Sequence, residues 1–112
     1  MNDTIRSSRD VILRTERWHE ALRFYETVLG FKIVYRDEKL VGFDTGTFVL
    51  YVEHGEPHGP VFDFLTPEVQ ALKTRLIASG CQLLEDNPGV PRCYLQDPFG
   101  LVFNLGTRGS GV

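Results

Sequence analysis

The segment YLQDPFGLVFNL, residues 94–105, places a polar amide inside an apolar run. Asn104 stands among Val102, Phe103 and Leu105, shortly after a tight turn at residues 97–100. An amide offers two donors and an acceptor, so Asn104 could line the floor of a polar cavity. Most buried polar groups instead bond to a neighbouring backbone or side chain, and this second interpretation stays open.

Other residues of reactive type form no recognisable constellation. His54 and His58 in EHGEPH would share the face of a helix, but the glycines and the proline beside them predict a loop with solvated histidines. Cys81 and Cys93 belong to no CxxC or Cys/His cluster, and their placement on successive strands does not predict a disulfide. The sequence shows no Ser-His-Asp pattern and no glycine-rich phosphate loop.

Composition excludes several classes of partner. At 112 residues we expect one domain over 1–112, and the net charge of -3 argues against nucleic acid. No apolar run approaches the roughly 20 residues that a bilayer requires, so no membrane partner is expected. The segment MNDTIRSSRD lacks the apolar stretch of a signal peptide, and two cysteines are too few for a disulfide framework. A cytoplasmic protein is therefore expected.

The chain repeats one pattern after about fifty residues. A strand ending at Thr15 precedes a helix that ends at Gly30, and three strand-like runs follow. The pattern restarts with VFDFLT, where Thr66 is predicted to cap a helix that has Pro67 at its first position and ends at Gly80. Each half thus reads β-α-β-β-β, with modules at about 9–54 and 61–107.

This pattern predicts an α+β fold. One helix cannot cover both faces of a strongly twisted sheet, so each module leaves one face open. Two βαβββ modules side by side would form a curled mixed sheet with the helices on its outer face. Its concave inner face would enclose a pocket.

Two motifs on this pattern resemble those of a known family. With EALRFYETVLGFKIV in the first half and LQDPFGLVFNL near the end, the chain resembles the vicinal oxygen chelate superfamily over roughly residues 9–107. That superfamily includes glyoxalase I, the extradiol dioxygenases, the fosfomycin-modifying enzymes and the bleomycin-resistance binding proteins.

The resemblance implies four inward-facing positions that hold a divalent cation in metal-using members. In this sequence they fall on Asp10, Tyr51, Val61 and Asn104. Only Asp10 is a carboxylate, Val61 has no donor atom, and a tyrosine ionises too reluctantly to be a ready ligand. We therefore expect a member without the usual metal ligands, with no metal and no other cofactor.

The same alignment turns further polar side chains inward, because residues two apart on a strand share a face. The resemblance also implies an inward Tyr94, since a tyrosine at that position helps bind substrate in the fosfomycin-modifying enzymes. Some charged residues could instead form structural ion pairs, Asp63 with Arg14 or Glu53 with Arg92. The predicted ligand-binding residues are Asp10, Arg14, Tyr51, Glu53, Asp63, Arg92, Tyr94 and Asn104.

An aromatic, partly acidic cavity suits an aromatic or amphipathic small molecule. The resemblance therefore implies a binding protein that sequesters or senses such a ligand without metal, as the bleomycin-resistance proteins do. Because each module leaves a sheet face open, a homodimer is expected, with pockets near the subunit interface.

An enzyme is the alternative. A divergent glyoxalase-like lyase or isomerase, or a dioxygenase, could hold Zn, Ni, Mn or Fe on a shifted set such as Asp10, Glu53 and Asp63. Without metal, it could use Glu53 or Asp63 as a general base. Val61 and Asn104 together remove two ligands and favour the binding protein.

Overall fold

The computed structural model describes residues 5–90 and 92–107, and its elements follow the doubled pattern. The first half contains β1 (Arg6–Thr15), α1 (Trp18–Arg23) with a π-helical turn (Phe24–Val28), β2 (Lys32–Arg36), β3 (Leu40–Asp44) and β4 (Val49–His54). The second contains β5 (His58–Leu65), α2 (Val69–Ala78), β6 (Gln82–Asn87), β7 (Arg92–Gln96) and β8 (Val102–Gly106). The prediction of an α+β fold with two βαβββ modules is confirmed.

The chain divides into two compact units. Residues 9–60 form the first unit, and residues 5–8 with the described residues from 61 onward form the second. In the first unit the strands run in the order β2-β3-β4-β1. The pair β1 and β4 is parallel, and the other two pairs are antiparallel, so the sheet is mixed as predicted.

One face of the first unit's sheet carries the core. Val41, Phe43 and Val52 are fully buried. Trp18, Ala21, Leu22 and Tyr25 of the helical segment pack against them. Because strand side chains alternate, the residues between these core positions lie on the opposite face.

The second unit repeats this arrangement with the order β5-β8-β7-β6 and a parallel β5–β8 pair. Leu72 of α2 packs on a buried set from β7 and β8, which comprises Cys93, Leu95, Phe103 and Leu105. Both cysteines are free thiols.

The two halves share their irregularities as well as their elements. The β2–β3 register shifts between Ile33 and Tyr35, and the β6–β7 register shifts at the equivalent place, between Leu83 and Glu85. Gly30 (φ 76°) and Gly80 (φ 109°) follow the two helices in the left-handed region, which glycine adopts without a steric penalty. The predicted stop at each glycine therefore has its expected physical cause.

The predicted start of the second helix is wrong. The helix begins at Val69 rather than Pro67, and the Thr66 hydroxyl accepts the Glu68 N–H at 3.2 Å. Thr15 accepts the Arg17 N–H at 3.0 Å before α1 in the same way. A threonine hydroxyl can close a short turn two residues on, and here that turn comes before the helix instead of capping it.

The predicted histidine loop is also shorter than expected. His54 is the last residue of β4 and His58 the first of β5, so only residues 55–57 connect the strands. The His54 ring stacks on Trp18 with 5.7 Å between ring centroids. The indole of Trp18 in turn donates to the carbonyl of Val52 at 3.2 Å. His54 is exposed, as predicted, but it ends β4 and stacks on Trp18 instead of standing in a loop.

Replacing Thr66 with valine should lower the free energy of unfolding by about 1 kcal/mol, because it removes a buried hydroxyl while keeping the side-chain shape. Thr66 is 2% exposed, whereas Thr15 is only half-buried. Thr15→Val is the matched control and should cost less. Urea unfolding measures the free energy of unfolding of both variants. A larger loss of stability for Thr15→Val than for Thr66→Val would contradict the role given to the buried Thr66 hydroxyl.

Candidate functional site

On the face opposite α1, the first unit carries a row of cross-strand neighbours that we call the aromatic row: Tyr35, Gly42, Tyr51 and Ile12. Gly42 of β3 pairs with Tyr35 of β2 and with Tyr51 of β4. Tyr51 in turn pairs with Ile12 of β1. The neighbouring residues Val41 and Val52 are in the helix-side core, which fixes the row on the other face.

The second unit carries the equivalent row with different chemistry. Tyr94 of β7 pairs with Glu85 of β6 and with Asn104 of β8, and Asn104 pairs with Asp63 of β5. We call Glu85, Tyr94, Asn104 and Asp63 the polar row. Where the first unit has aromatic and apolar side chains around a glycine, the second has two carboxylates, a phenol and an amide.

The asparagine in the apolar run is held by the protein itself. The Asn104 side-chain NH₂ donates to Asp63 Oδ1 at 2.9 Å, and its oxygen accepts the backbone N–H of Cys93 at 2.8 Å. Asn104 and Asp63 are 2% and 0% exposed. These bonds support the second interpretation, in which Asn104 bonds to a neighbouring backbone and side chain. The sequence alone could not show which groups face it.

Arg92 also has a partner that the sequence analysis did not identify. Its guanidinium forms an ion pair with Glu85 at 3.0 Å and lies 5.5 Å from the centroid of the Tyr94 ring. Tyr94 is 2% exposed, so the cation covers a buried ring. The alternative that Arg92 is a structural ion-pair residue is supported by this pair with Glu85.

Tyr51 is held against the backbone of the next strand. A Cβ built on Gly42 would come within 2.8 Å of Tyr51 Cε1 and 3.3 Å of Tyr35 Cβ, so only glycine leaves room for this ring. The two tyrosine rings meet edge to face with 6.2 Å between centroids. Burial raises the pKa of Tyr51, and the nearby charge of Asp10 raises it further, so the phenol stays protonated.

The remaining predicted residues of the first unit lie on the same face as Tyr51. Arg14 and Glu53 are partners in the β1–β4 register, and Asp10 pairs with Val49 four residues earlier. The aliphatic stem of Arg14 runs past Gly55, where a Cβ would come within 3.1 Å of it. Four predicted residues thus share one face of the first unit, and the polar-row face of the second unit holds Asp63, Arg92, Tyr94 and Asn104.

Sequence reasoning missed Tyr35, Gly42 and Glu85. Tyr35 and Glu85 directly follow the two register shifts, where one extra residue reverses which side chains face the site. Simple alternation along β2 and β6 therefore assigns them to the wrong face. Tyr35 and Glu85 occupy equivalent positions in the two halves of the duplicated pattern, and this equivalence was the one feature of the sequence that could have identified them.

Comparison with known proteins identifies the family. A model of the glyoxalase-like domain matches residues 10–106. The chain belongs to the glyoxalase-like domain family. No curated protein sequence matches it.

Solved structures share the fold of this glyoxalase-like domain. A glyoxalase/bleomycin resistance protein/dioxygenase superfamily member from Vibrio splendidus 12B01 is 20% identical with a TM-score of 0.61, covering 91% of this chain and 97% of that one. A hypothetical protein from Bacillus halodurans C-125 is 12% identical with a TM-score of 0.66, covering 95% and 96%. Homoprotocatechuate 2,3-dioxygenase from Brevibacterium fuscum, in complex with 3,4-dihydroxyphenylacetate, is 20% identical with a TM-score of 0.63. The match covers 96% of this chain but 38% of the dioxygenase chain.

The four family metal positions of this glyoxalase-like domain do not fit a divalent cation. Val61 is buried and carries no donor atom, and the Asn104 oxygen already accepts the Cys93 N–H. The raised pKa of Tyr51 makes its phenolate a poor ligand at neutral pH. Among residues 5–90 and 92–107, no three His, Cys, Asp or Glu side chains are grouped as an ion would require, so a shifted carboxylate set finds no support there.

The described helices are also too short or too polar for a bilayer: none of them could cross a membrane.

Proposed function

We propose that this glyoxalase-like domain binds an aromatic or amphipathic small molecule, without a metal ion, and thereby sequesters or senses it. The observation that carries the proposal is the aromatic row. The Tyr51 ring packs on Gly42 and contacts the Tyr35 ring edge to face without any ligand. A preformed aromatic surface binds a flat apolar group with little ordering cost.

The charges on the same face supply the polar part of an amphipathic site. Asp10, Arg14 and Glu53 lie on β1 and β4 beside the aromatic row. Polar groups placed around an apolar floor orient a ligand and select among ligands. The Brevibacterium fuscum dioxygenase, which shares the fold, has an aromatic compound bound in its structure. We propose the same broad ligand class here, in a homodimer.

Calorimetric titration tests the proposal with two kinds of ligand. Naphthalene and quinoline should each bind with a dissociation constant at or below about one millimolar. Nickel, zinc and manganese should show no stoichiometric binding. Stoichiometric metal together with activity on a hemithioacetal would overturn the proposal in favour of a lyase.

The carboxylates that could serve as a general base differ in their surroundings. Asp63 is fully buried and accepts a hydrogen bond from Asn104, whereas Glu53 is only half-buried and pairs in register with Arg14. A base must reach the proton that it removes, and burial restricts Asp63. Burial therefore argues against Asp63 as a general base and leaves Glu53 as the more accessible of the two carboxylates.

A further inference from the structure

We propose that Tyr51 anchors the ligand by donating its phenol O–H to a neutral acceptor on a flat aromatic molecule, such as a carbonyl oxygen or a ring nitrogen. The inference rests on the proposed function and adds the chemical class of the ligand. Tyr51 then has two roles in one side chain: its ring contacts the ligand ring, and its hydroxyl fixes the orientation.

The two tyrosines of the aromatic row differ in what their hydroxyls do. The Tyr35 hydroxyl donates to Asp37 Oδ2 at 2.7 Å, and the other oxygen of Asp37 accepts the N–H groups of Lys39 and Leu40, both at 2.8 Å. The Tyr51 hydroxyl makes no hydrogen bond to any residue within 5–90 or 92–107. In that part of the chain the Tyr51 hydroxyl is not among the buried polar atoms that lack a hydrogen bond. An unbonded hydroxyl outside that group is accessible, so it can reach water or a ligand.

The direction of this hydroxyl is set by packing. The Tyr51 ring lies over Gly42, where even a methyl group would be too close, and the Tyr35 ring meets it at an interplanar angle of 63°. Tyr35 cannot readily move away, because its own hydroxyl is tied to the turn at Asp37. A donor held in this way loses little conformational entropy when it bonds to a ligand.

The negative charge of Asp10 disfavours an anionic acceptor at Tyr51. Burial, and after it the charge of Asp10, raise the pKa of Tyr51 and favour the protonated phenol, so Tyr51 acts as a donor throughout the neutral pH range. The negative charge that keeps the proton on Tyr51 also repels an anionic ligand group at the same place. A carbonyl or an aromatic nitrogen satisfies the phenol O–H without that repulsion.

The test compares quinoline with naphthalene, which differ by one neutral ring nitrogen. Tyr51→Phe keeps the ring and removes the donor, and we expect it to weaken quinoline binding about tenfold. Naphthalene binding to the same variant should change less than about twofold, because only ring contacts are involved. Tyr25→Phe is the matched control, since Tyr25 packs on the helix-side core of the same unit and not on the aromatic row, and it should leave the preference for quinoline intact.

The outcomes separate this inference from the proposed function. Equal losses for both probes in Tyr51→Phe, or no loss for either, would overturn the anchoring role while leaving aromatic binding in place. Tighter binding of naphthoate than of quinoline would overturn the choice of a neutral acceptor. If neither quinoline nor naphthalene binds the unaltered protein, the proposed function itself fails. Thermal unfolding of Tyr51→Phe should match that of the unaltered protein, because the lost hydroxyl has no described partner.

Discussion

Replacing Asn104 with leucine is expected to lower the free energy of unfolding by about 3 kcal/mol. Leucine has a similar volume, so the loss comes from hydrogen bonding rather than from a cavity. The variant removes the amide from Asp63 Oδ1 and the acceptor from the Cys93 N–H. Asp63 has no exposed surface, so water cannot replace the lost donor. Urea unfolding at neutral pH measures the change.

The surface amide of Gln82 provides the control for this substitution. Gln82→Leu makes the same chemical change on an exposed residue of β6 and should shift the free energy of unfolding by less than about 0.5 kcal/mol.

Asn104→Asp goes further, because it sets a second carboxylate against Asp63. One of the two pKa values must then lie above its unfolded value, so stability is retained in acid and lost as the pH rises through that folded-state pKa. The assigned contacts would be contradicted if the stability of Asn104→Asp did not depend on pH, or if Asn104→Leu unfolded with the same free energy as the unaltered protein.

Gly42→Ala is expected to weaken the binding of quinoline and naphthalene more than about tenfold, because the new methyl group displaces the Tyr51 ring. A Cβ at this position would lie 2.8 Å from Tyr51 Cε1, well inside van der Waals contact. The free energy of unfolding should fall by about 1 kcal/mol, since the displaced ring also loses its contact with Tyr35. Probe titration and urea unfolding measure the two effects.

A double-mutant cycle tests whether the loss of unfolding free energy in Gly42→Ala comes from the displaced Tyr51 ring. In a Tyr51→Ala background only Tyr35 Cβ, at 3.3 Å, remains close to the new methyl group, so adding Gly42→Ala should cost much less than it does beside the tyrosine ring. The coupling between the two positions is therefore expected to be large. An equal cost of Gly42→Ala in both backgrounds would show that the methyl group strains something other than Tyr51.

Much of the fold could be predicted because the pattern occurs twice. Two copies of strand, helix and three strands constrain each other, and Gly30 and Gly80 end the two helical segments for the same steric reason. The helix start at Val69 was harder to predict. The hydroxyl of Thr66 can serve either a turn or a cap, and the sequence does not distinguish between them.

The site was less predictable, because it depends on register and on contacts between distant residues. Asp63 and Asn104 are 41 positions apart, and only the β5–β8 register shows that they share a hydrogen bond. The bulges before Tyr35 and Glu85 reverse the face that alternation assigns. The resemblance implied site positions that all lie on strands of the structure, but it did not show what each side chain contacts.

The dissociation constant of quinoline before and after exhaustive chelation tests the central claim most directly. Binding to the aromatic row should be unchanged within about twofold when all divalent metal is removed, and again when zinc, nickel or manganese is added back. Quinoline binding that disappears on chelation and returns with one of these metals would contradict a metal-free ligand site.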